Sequence, residues 1–523
     1  MDEAQVKSSV ILMIINGIGV LEDKNRNVIF KADTPVLDTM VKECPFEKGL
    51  ASGMAVGLPN GQSGDSEVGC MNIGAGRIVY QELTKISKEI QFGDFEKNEA
   101  LNRAFDHCRR RDSCLHIIGL VSDGGVHSHQ SHLYALLEFA KKKNQRKVCV
   151  HCILDGRDTA PSSAYYYLES LQNKMRETGV GEIATVMGRS YAMDRSRKYD
   201  RIKLAYTAMV YGEGNKAAGA DEAVRAAYMR GESDEFIVPT VIVNGGVPIG
   251  TINDDDSVIF FNFRADRARE LTRAFCDAEF RSFKREKRPD VLFTCFTEYD
   301  PEIENKAVAF RTDFIENNLV DWLDKNNYRT AIITEAEGAS HLTRAFLGNT
   351  WESYDNVDMT IVPSAKVISY DLKPEMSVSE VTDALIKAVQ SGEYDLIAAN
   401  YINIDLMGHT AEENTLIKAI EAVDKALFRV MKVIEQTDSV MFLCSDHGNA
   451  ERITDEHNEK LKAHTNNPVP FFLINYDEDY TLRKGGCLAD VAPTILDIME
   501  IEKPREMTGK TLLTPVRAQT IRI

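Results

Sequence analysis

Val440-Met-Phe-Leu-Cys-Ser-Asp-His447 runs from five apolar residues into a serine, an aspartate and a histidine. The end of an apolar strand is an expensive place for a charged pair without a partner. The stretch therefore reads as a buried strand that delivers polar side chains at its carboxyl end. The same unit recurs at Val10–Ile15, Leu115–Val121, Val148–Leu154, Ile183–Met187, Val258–Phe263, Thr330–Ile333, Leu396–Ile402 and Pro470–Ile474. Nearly all of these runs lead into a polar group: Asn16, Asp123, Asp155 with Arg157, Arg189, Arg264, Asp405 or Asp446. Segments of helical period separate them, the alternation expected of parallel sheets covered by helices. Open α/β sheets hold ligands just beyond the carboxyl ends of their strands, where these polar groups fall. The fold class expected is α/β.

At 523 residues the chain is too long for one ordinary core. The polar groups sort into two sets, arginine-rich between about residues 115 and 270 and Asp/His-rich in about the last 200 residues. A glycine-rich serine segment lies near the start. We expect a discontinuous domain, residues 1–81 with 314–523, and an inserted domain, 82–313, with junctions near Tyr80–Leu83 and Arg311–Phe314. The net charge of −18 argues against a nucleic-acid partner, whose phosphates need a basic surface. No apolar run approaches the length that spans a bilayer. Met1-Asp-Glu-Ala-Gln5 has neither the basic nor the apolar region of a signal peptide. The ten cysteines are scattered, and Cys149-x-x-Cys152 sits in an apolar run better read as a buried strand than as a redox or zinc pair. A reducing, cytoplasmic setting is expected. Asn253-Asp-Asp-Asp-Ser257 reads as a solvated acidic turn.

Three sets of residues carry chemistry. Gly64-Asp-Ser-Glu-Val-Gly-Cys-Met-Asn-Ile-Gly74 reads as a loop that presents Ser66 and fits neither helix nor strand period. Asp405-Leu-Met-Gly-His409 places two metal-ligating types four apart, on one face if the segment is helical. With Asp446-His447 and His464 it has the composition of a metal cluster suited to Mn²⁺ or Zn²⁺. A serine with two metals is equipment for phosphoryl transfer through phosphoserine. Arg157, Arg189, Arg195, Arg264 and Arg267 each follow a strand, and guanidinium groups grip phosphates and carboxylates bidentately. Surface ion pairs account for any one of these arginines but poorly for all five together. His127, on the glycine turn Asp123-Gly-Gly-Val-His127, adds a donor. His107, His116, His132, His151 and His457 read as surface or core groups.

Taken together, the motifs resemble the 2,3-bisphosphoglycerate-independent phosphoglycerate mutases of the alkaline phosphatase superfamily. The carrying strings include Gly57-Leu-Pro-Asn-Gly-Gln62, Ser66-Glu-Val-Gly69, Ser122-Asp-Gly-Gly-Val-His127, Asp155-Gly-Arg-Asp-Thr159, Val186-Met-Gly-Arg189, Tyr191-Ala-Met-Asp-Arg195, Asn262-Phe-Arg264, Tyr370-Asp-Leu-Lys-Pro-Glu-Met376, Met407-Gly-His-Thr410, Ser445-Asp-His-Gly-Asn-Ala-Glu451 and Ala463-His-Thr465. They stand in family order over almost the whole chain. The resemblance implies an alkaline-phosphatase-like α/β domain with the serine and metals, and an inserted α/β phosphotransferase domain with the arginines. It implies interconversion of 3- and 2-phosphoglycerate, a step of glycolysis and gluconeogenesis. Ser66 would be the nucleophile and Asp158 the acid/base on the glycerate hydroxyls. His127, Arg157, Asp158, Arg189, Arg195, Arg264 and Arg267 would bind substrate. Two divalent ions are implied, Mn²⁺ first, with Mg²⁺ or Co²⁺ as alternatives and no 2,3-bisphosphoglycerate. Asp405, His409 and His464 would hold one; Asp446, His447 and Ser66 would hold the other. The resemblance also implies a monomer, and domain closure that shields the phosphoserine from water.

The chain departs from the family pattern around Ser66. Asn16 stands where a metal-binding aspartate is usual, Asp65 where the residue before the serine is usually Asn, Cys70 where a histidine is usual, and Gly338 where a lysine faces the phosphoryl group. Ala265 replaces a proline. An amide at position 16 is a weakened ligand, for which Asp65 is a candidate substitute, with Arg344 or another cation in place of the lysine. The alternatives are a paralogue that binds phosphoglycerate with impaired turnover, or another phosphomonoesterase or mutase of the superfamily.

Overall fold

The computed structural model describes residues 8–311, 314–349, 353–455 and 457–516. The stretch 1–5 read above and positions 312–313 at the second junction lie outside these described residues. The chain divides into two compact units, Met1–Gln81 with Phe314–Ile523, and Glu82–Asp313.

The first unit is built on an eight-stranded sheet in the order Val357–Val362, Thr330–Glu335, Leu396–Tyr401, Val10–Ile15, Val440–Cys444, Val469–Ile474, Phe46–Leu50, Gly486–Cys487. The first five strands are mutually parallel. Val10–Ile15 is central and apolar throughout because both of its faces are covered, as parallel sheets require. Leu12 and Ile14 enter the core on one face; Ile11, Met13 and Ile15 enter the core on the other. The helix Glu413–Thr437 covers the second face with Leu416, Ile420, Val423, Leu427 and Val430, at helical spacing. The parallel expectation fails at one edge. Val469–Ile474 runs antiparallel to Val440–Cys444, and Phe46–Leu50 antiparallel to Val469–Ile474. Phe46-Glu-Lys-Gly-Leu50 went unread because its two charges break any apolar run.

The inserted unit holds a nine-stranded sheet. Eight strands follow the order Ala307–Val308, Leu292–Cys295, Ser257–Phe260, Leu115–Leu120, Val148–Leu154, Glu182–Gly188, Thr240–Asn244, Asn215–Ala217, and Val247–Pro248 pairs with Thr240–Asn244. The five from Leu292–Cys295 to Glu182–Gly188 are parallel. Ile117 and Ile118, neighbours in one strand, feed separate cores on the two faces.

The structure departs from expectation at two further places. Ser66–Ala75 is an α-helix, not a loop. Nine of its ten residues are buried, so it has no polar face and shows no amphipathic period. Its glycines mark close approach: a Cβ on Gly69 would lie 2.4 Å from the Asp446 carbonyl oxygen, and one on Gly74 would lie 2.0 Å from that of Phe346. The acidic turn is not wholly solvated either. Asp256 is buried and accepts hydrogen bonds from the backbone of Cys114 and Asn253 at 2.8 Å each.

Candidate active site

Ser66 is the first residue of its helix. Asp65 caps that helix by accepting a hydrogen bond from the Val68 amide at 2.8 Å. The serine hydroxyl thus sits at the positive end of a helix dipole, a position that favours an anion. Its Oγ lies 2.9 Å from His447 Nε2 and accepts from Asn16 Nδ2 at 3.1 Å. Asn16, at the end of Val10–Ile15, also donates through Nδ2 to Asp446 Oδ2 at 2.5 Å, while its carbonyl oxygen accepts from Asn400 at 3.2 Å. In this arrangement Asn16 turns its N–H, not its oxygen, toward the serine. Gly17 follows with φ of +80° and packs against Asp405, where a Cβ would lie 2.8 Å from that residue's Cα.

Asp405 lies in the short helix Asn403–Gly408 after its strand. Its carboxylate faces three imidazoles, at 3.5 Å from His409 Nε2, 3.5 Å from His464 Nε2 and 3.9 Å from His447 Nε2. Each ring is turned by its other nitrogen. Nδ1 donates to the carbonyl of Lys462 from His409, of Gly64 from His464 and of Gly448 from His447. Tethering the far nitrogen to a carbonyl is how metal-ligating histidines are oriented. The Nε2 atoms of His409 and His464 are left 3.0 Å apart, so the pair needs one cation between them, a proton or a metal ion. The ligand atoms of Asp405, His447 and His464 all lie within 4.8 Å of one another. Burial raises the Asp405 carboxyl, but bonding to His409 and the charge of His447 outweigh it and hold it well below the usual range. Donating to the Asp405 carboxylate holds His409 above the ordinary imidazole value, whereas burial and then His447 push His464 down.

Asp446 is buried at its strand end and accepts from the Gly17 amide at 3.0 Å. The sequence reading gave no role to Asn449 and Glu451. Asn449 donates to Asp405 Oδ1 at 2.7 Å. Glu451 is buried and gathers the Gly19 and Asn449 amides, Thr465 and Asn467. Both stand in the motif Ser445–Glu451, so the signal was their place beside ligand-type residues.

A cavity of about 320 Å³ opens on this cluster, lined in part by Asn16, Asp65, Ser66, Glu337, Gly338 and His341. A Cβ on Gly338 would lie 2.4 Å from Ile402 Cγ2, so a lysine at this position does not fit unless Ile402 shifts. His341, not Arg344, reaches the cavity wall, and its Nδ1 is buried without a hydrogen-bond partner. Cys70 is buried, and burial pushes its thiol up.

In the inserted unit the arginine set is also assembled. Arg189 is buried, and its Nη1 donates to Asp155 Oδ1 and Asp158 Oδ2 at 2.6 Å each. Its Nε is buried without a partner. Asp266 lies 3.2 Å from Arg195 Nη1, 3.4 Å from Arg264 Nε and 3.7 Å from His127 Nδ1. Arg157 Nη1 lies 3.5 Å from Glu235, and Arg267 donates to the Met193 carbonyl at 3.2 Å. Burial lowers the Arg267 guanidinium, and the charges of Arg189, Arg195 and Arg157 lower it further. Such crowding of cations suits an anionic ligand. The side chains of Arg157, Arg195 and Arg264 stay half exposed, open to one. Of the histidines read as surface or core groups, His116, His132 and His151 are buried and His457 is exposed.

Burial, then Arg189, depress the His127 imidazole from 6.5 to about 4. Its ring is therefore a neutral hydrogen-bonding group at neutral pH. The associated stability is complete above the unfolded value of 6.5 and is lost as pH falls toward the folded one. An NMR titration is expected to show one histidine with a midpoint near 4, absent from His127→Gln. A midpoint near 6.5 for His127 would contradict this environment.

A model of the BPG-independent PGAM N-terminus (iPGM_N) matches residues 86–301. The 2,3-bisphosphoglycerate-independent phosphoglycerate mutase of Lachnoclostridium phytofermentans is 52% identical over 97% of this chain and 99% of its own. That of Acetivibrio thermocellus is 50% identical over 96% and 99%. Among solved structures, Leishmania mexicana phosphoglycerate mutase at low cobalt concentration covers 98% of this chain and 99% of its own, with 28% identity and a TM-score of 0.64. The chain belongs to the family of 2,3-bisphosphoglycerate-independent phosphoglycerate mutases.

Proposed function

We propose that this protein interconverts 3-phosphoglycerate and 2-phosphoglycerate through a phosphoserine at Ser66, without 2,3-bisphosphoglycerate. The observation that carries this reading is Ser66 Oγ at a helix N-terminus, 2.9 Å from His447 and in a cavity shared with Asp405, His409 and His464. The first unit is the phosphatase-like half and the inserted unit the substrate-binding half. The relatives' names favour turnover over a binding-only paralogue.

The residues divide the work. Ser66 Oγ, whose proton would pass to solvent when the ions bind, attacks phosphorus as the alkoxide; the bond to the glycerate oxygen breaks, and protonated Asp158 supplies the proton that oxygen takes up. Arg157, Arg189, Arg195, Arg264 and Arg267 hold the glycerate while it turns, and His127 donates to it as a neutral group. Asp158 then removes the proton from the other hydroxyl, whose oxygen takes the phosphoryl group from Ser66. The imidazole orientations fit divalent metal ions, and the family resemblance puts Mn²⁺ first. Asp405, His409 and His464 would hold one and Asp446, His447 and Ser66 another, lowering the serine's pKa and clamping the transferring oxygens. We assign His341 to the phosphoryl contact that Gly338 no longer offers. The protein acts in the cytoplasm as a monomer on this reading. An enolase-coupled assay with 3-phosphoglycerate and Mn²⁺, free of 2,3-bisphosphoglycerate, tests it: turnover supports it, and release of inorganic phosphate in place of 2-phosphoglycerate refutes it.

Two variants probe the altered positions. Asn16→Asp places a carboxylate beside Asp446, where Nδ2 of Asn16 now donates at 2.5 Å. The metal-free variant is expected to melt below the wild type, because like charges are buried together, and its ion affinity to rise. Unchanged melting and metal affinity would remove position 16 from the ion site. Asp65→Asn keeps a good helix cap and removes only the charge. If that charge offsets the missing carboxylate, turnover falls by about 10-fold or more, the scale of one lost electrostatic contact; full turnover and metal content would refute the compensation.

A further inference from the structure

The inserted unit holds a second cluster of ligand-type side chains that phosphoryl transfer does not use. Cys114 immediately precedes the strand Leu115–Leu120, and His116 lies within it. Cys149 lies in the neighbouring parallel strand, directly opposite His116. Side chains alternate along a strand, so Cys114 and His116 share one face, and Cys149 shares it by register. One ligand atom from each of the three lies within 4.8 Å of the others. His116 is fully buried, Cys149 nearly so and Cys114 half buried, which leaves a way in from solvent.

The histidine is held as a metal-ligating histidine is held. Its Nε2 lies 3.2 Å from Asp256 Oδ2, and two backbone amides fix that carboxylate. A carboxylate behind the ring sets the tautomer with the proton on Nε2 and the lone pair on Nδ1. Nδ1 now accepts from His151 Nε2 at 3.0 Å, and His151 Nδ1 in turn takes Thr185 Oγ1 at 3.0 Å. The acidic turn that contributes Asp256 thus supports a ring rather than facing water.

We propose that Cys114, His116 and Cys149 form a binding site for a soft divalent ion of the zinc class, with Asp256 as the residue that orients His116. In a tetrahedral site with Zn–S of about 2.3 Å and Zn–N of about 2.0 Å, ligand atoms stand about 3.5–3.8 Å apart. Small side-chain adjustments close the present spacing to that range. Binding exchanges the His151 hydrogen bond at Nδ1 for the ion, and two S–H protons pass to solvent as two metal–sulfur bonds form. A fourth position remains for water. The register disfavours a disulfide between the same cysteines. Leu115 stands opposite Val148 and His116 opposite Cys149, so Cys114 and Cys149 are diagonal neighbours. Two residues along a parallel strand at about 3.3 Å each and one strand spacing of about 4.8 Å across put their Cα atoms about 8 Å apart, beyond the usual Cα separation of a disulfide.

Co²⁺ provides the test, because thiolate ligands give it a sulfur-to-metal charge-transfer absorption that the Asp/His centre of the first unit cannot produce. Reduced, full-length protein titrated with Co²⁺ is expected to show this band and to lose it on addition of Zn²⁺. The band should persist in Asp405→Asn, vanish in Cys114→Ser and in Cys149→Ser, and require about 10–100-fold more Co²⁺ in Asp256→Asn. Folded, reduced wild-type protein without the band overturns the proposal, whatever the variants do. Persistence of the band in Cys149→Ser overturns it by assigning the thiolates elsewhere. Loss of two thiols in air without metal uptake, reversed by dithiothreitol, overturns it in favour of a disulfide.

Discussion

Ser66→Ala is expected to lower mutase turnover by about 10⁴-fold or more, the scale seen when a nucleophile is removed from a preorganised site. The hydroxyl is the group on which the site converges: the helix N-terminus, Asn16 Nδ2 at 3.1 Å and His447 Nε2 at 2.9 Å. Among the described residues, no other side-chain hydroxyl or thiol lines the cavity beside it. Cys70 lies in the same helix, but its burial holds it protonated. The arginine set belongs to the other unit, so phosphoglycerate should bind the variant with affinity close to the wild type. Steady-state turnover and equilibrium binding measured together separate the two effects. Turnover within about 10-fold of wild type would remove Ser66 from the covalent role, since positioning effects of that size need no nucleophile.

Asp405→Asn is expected to cost about 10²–10³-fold in turnover, with loss of bound metal after dialysis. The carboxylate faces His409, His464 and His447 at 3.5, 3.5 and 3.9 Å, and Asn449 braces it at 2.7 Å. The amide keeps the shape and removes the charge that draws a cation among three imidazoles. It also removes the anion that raises His409, so the His409–His464 pair holds a shared proton less tightly. Metal content by elemental analysis and turnover read the result. Wild-type metal content in the dialysed variant would exclude Asp405 as a ligand.

The sheet strands were legible because their residues are buried on both faces, which leaves unbroken apolar runs. Val10–Ile15, Val148–Leu154 and Val440–Cys444 have the bounds read from the sequence. The strands that escaped lie toward sheet edges. Val357–Val362 alternates with Asp358 and Thr360, and Thr240–Asn244 is a short antiparallel addition to a parallel sheet. The helix of Ser66 was illegible for the opposite reason to an edge strand. Its burial is nearly complete and its glycines answer to contacts with Asp446 and Phe346, which no local pattern encodes. Among the site residues, those at strand ends announced themselves by charge after an apolar run. Asn449 and Glu451 work by bracing other groups, and a brace has no composition of its own. Asp256 read as solvated because three consecutive aspartates look like a surface turn, yet its carboxylate turns inward to His116. His341 gave no signal, since its role depends on the space left beside Gly338.

The most direct test of the covalent route is to mix the protein with 3-phosphoglycerate and Mn²⁺, quench in acid during turnover, and map phosphorylation by mass spectrometry. The phosphoserine route predicts one phosphoryl group on the peptide that contains Ser66, absent from Ser66→Ala and returned to glycerate once free phosphoglycerate is removed. Turnover to 2-phosphoglycerate with no phosphorylated peptide, or with the phosphate on another residue, would contradict it.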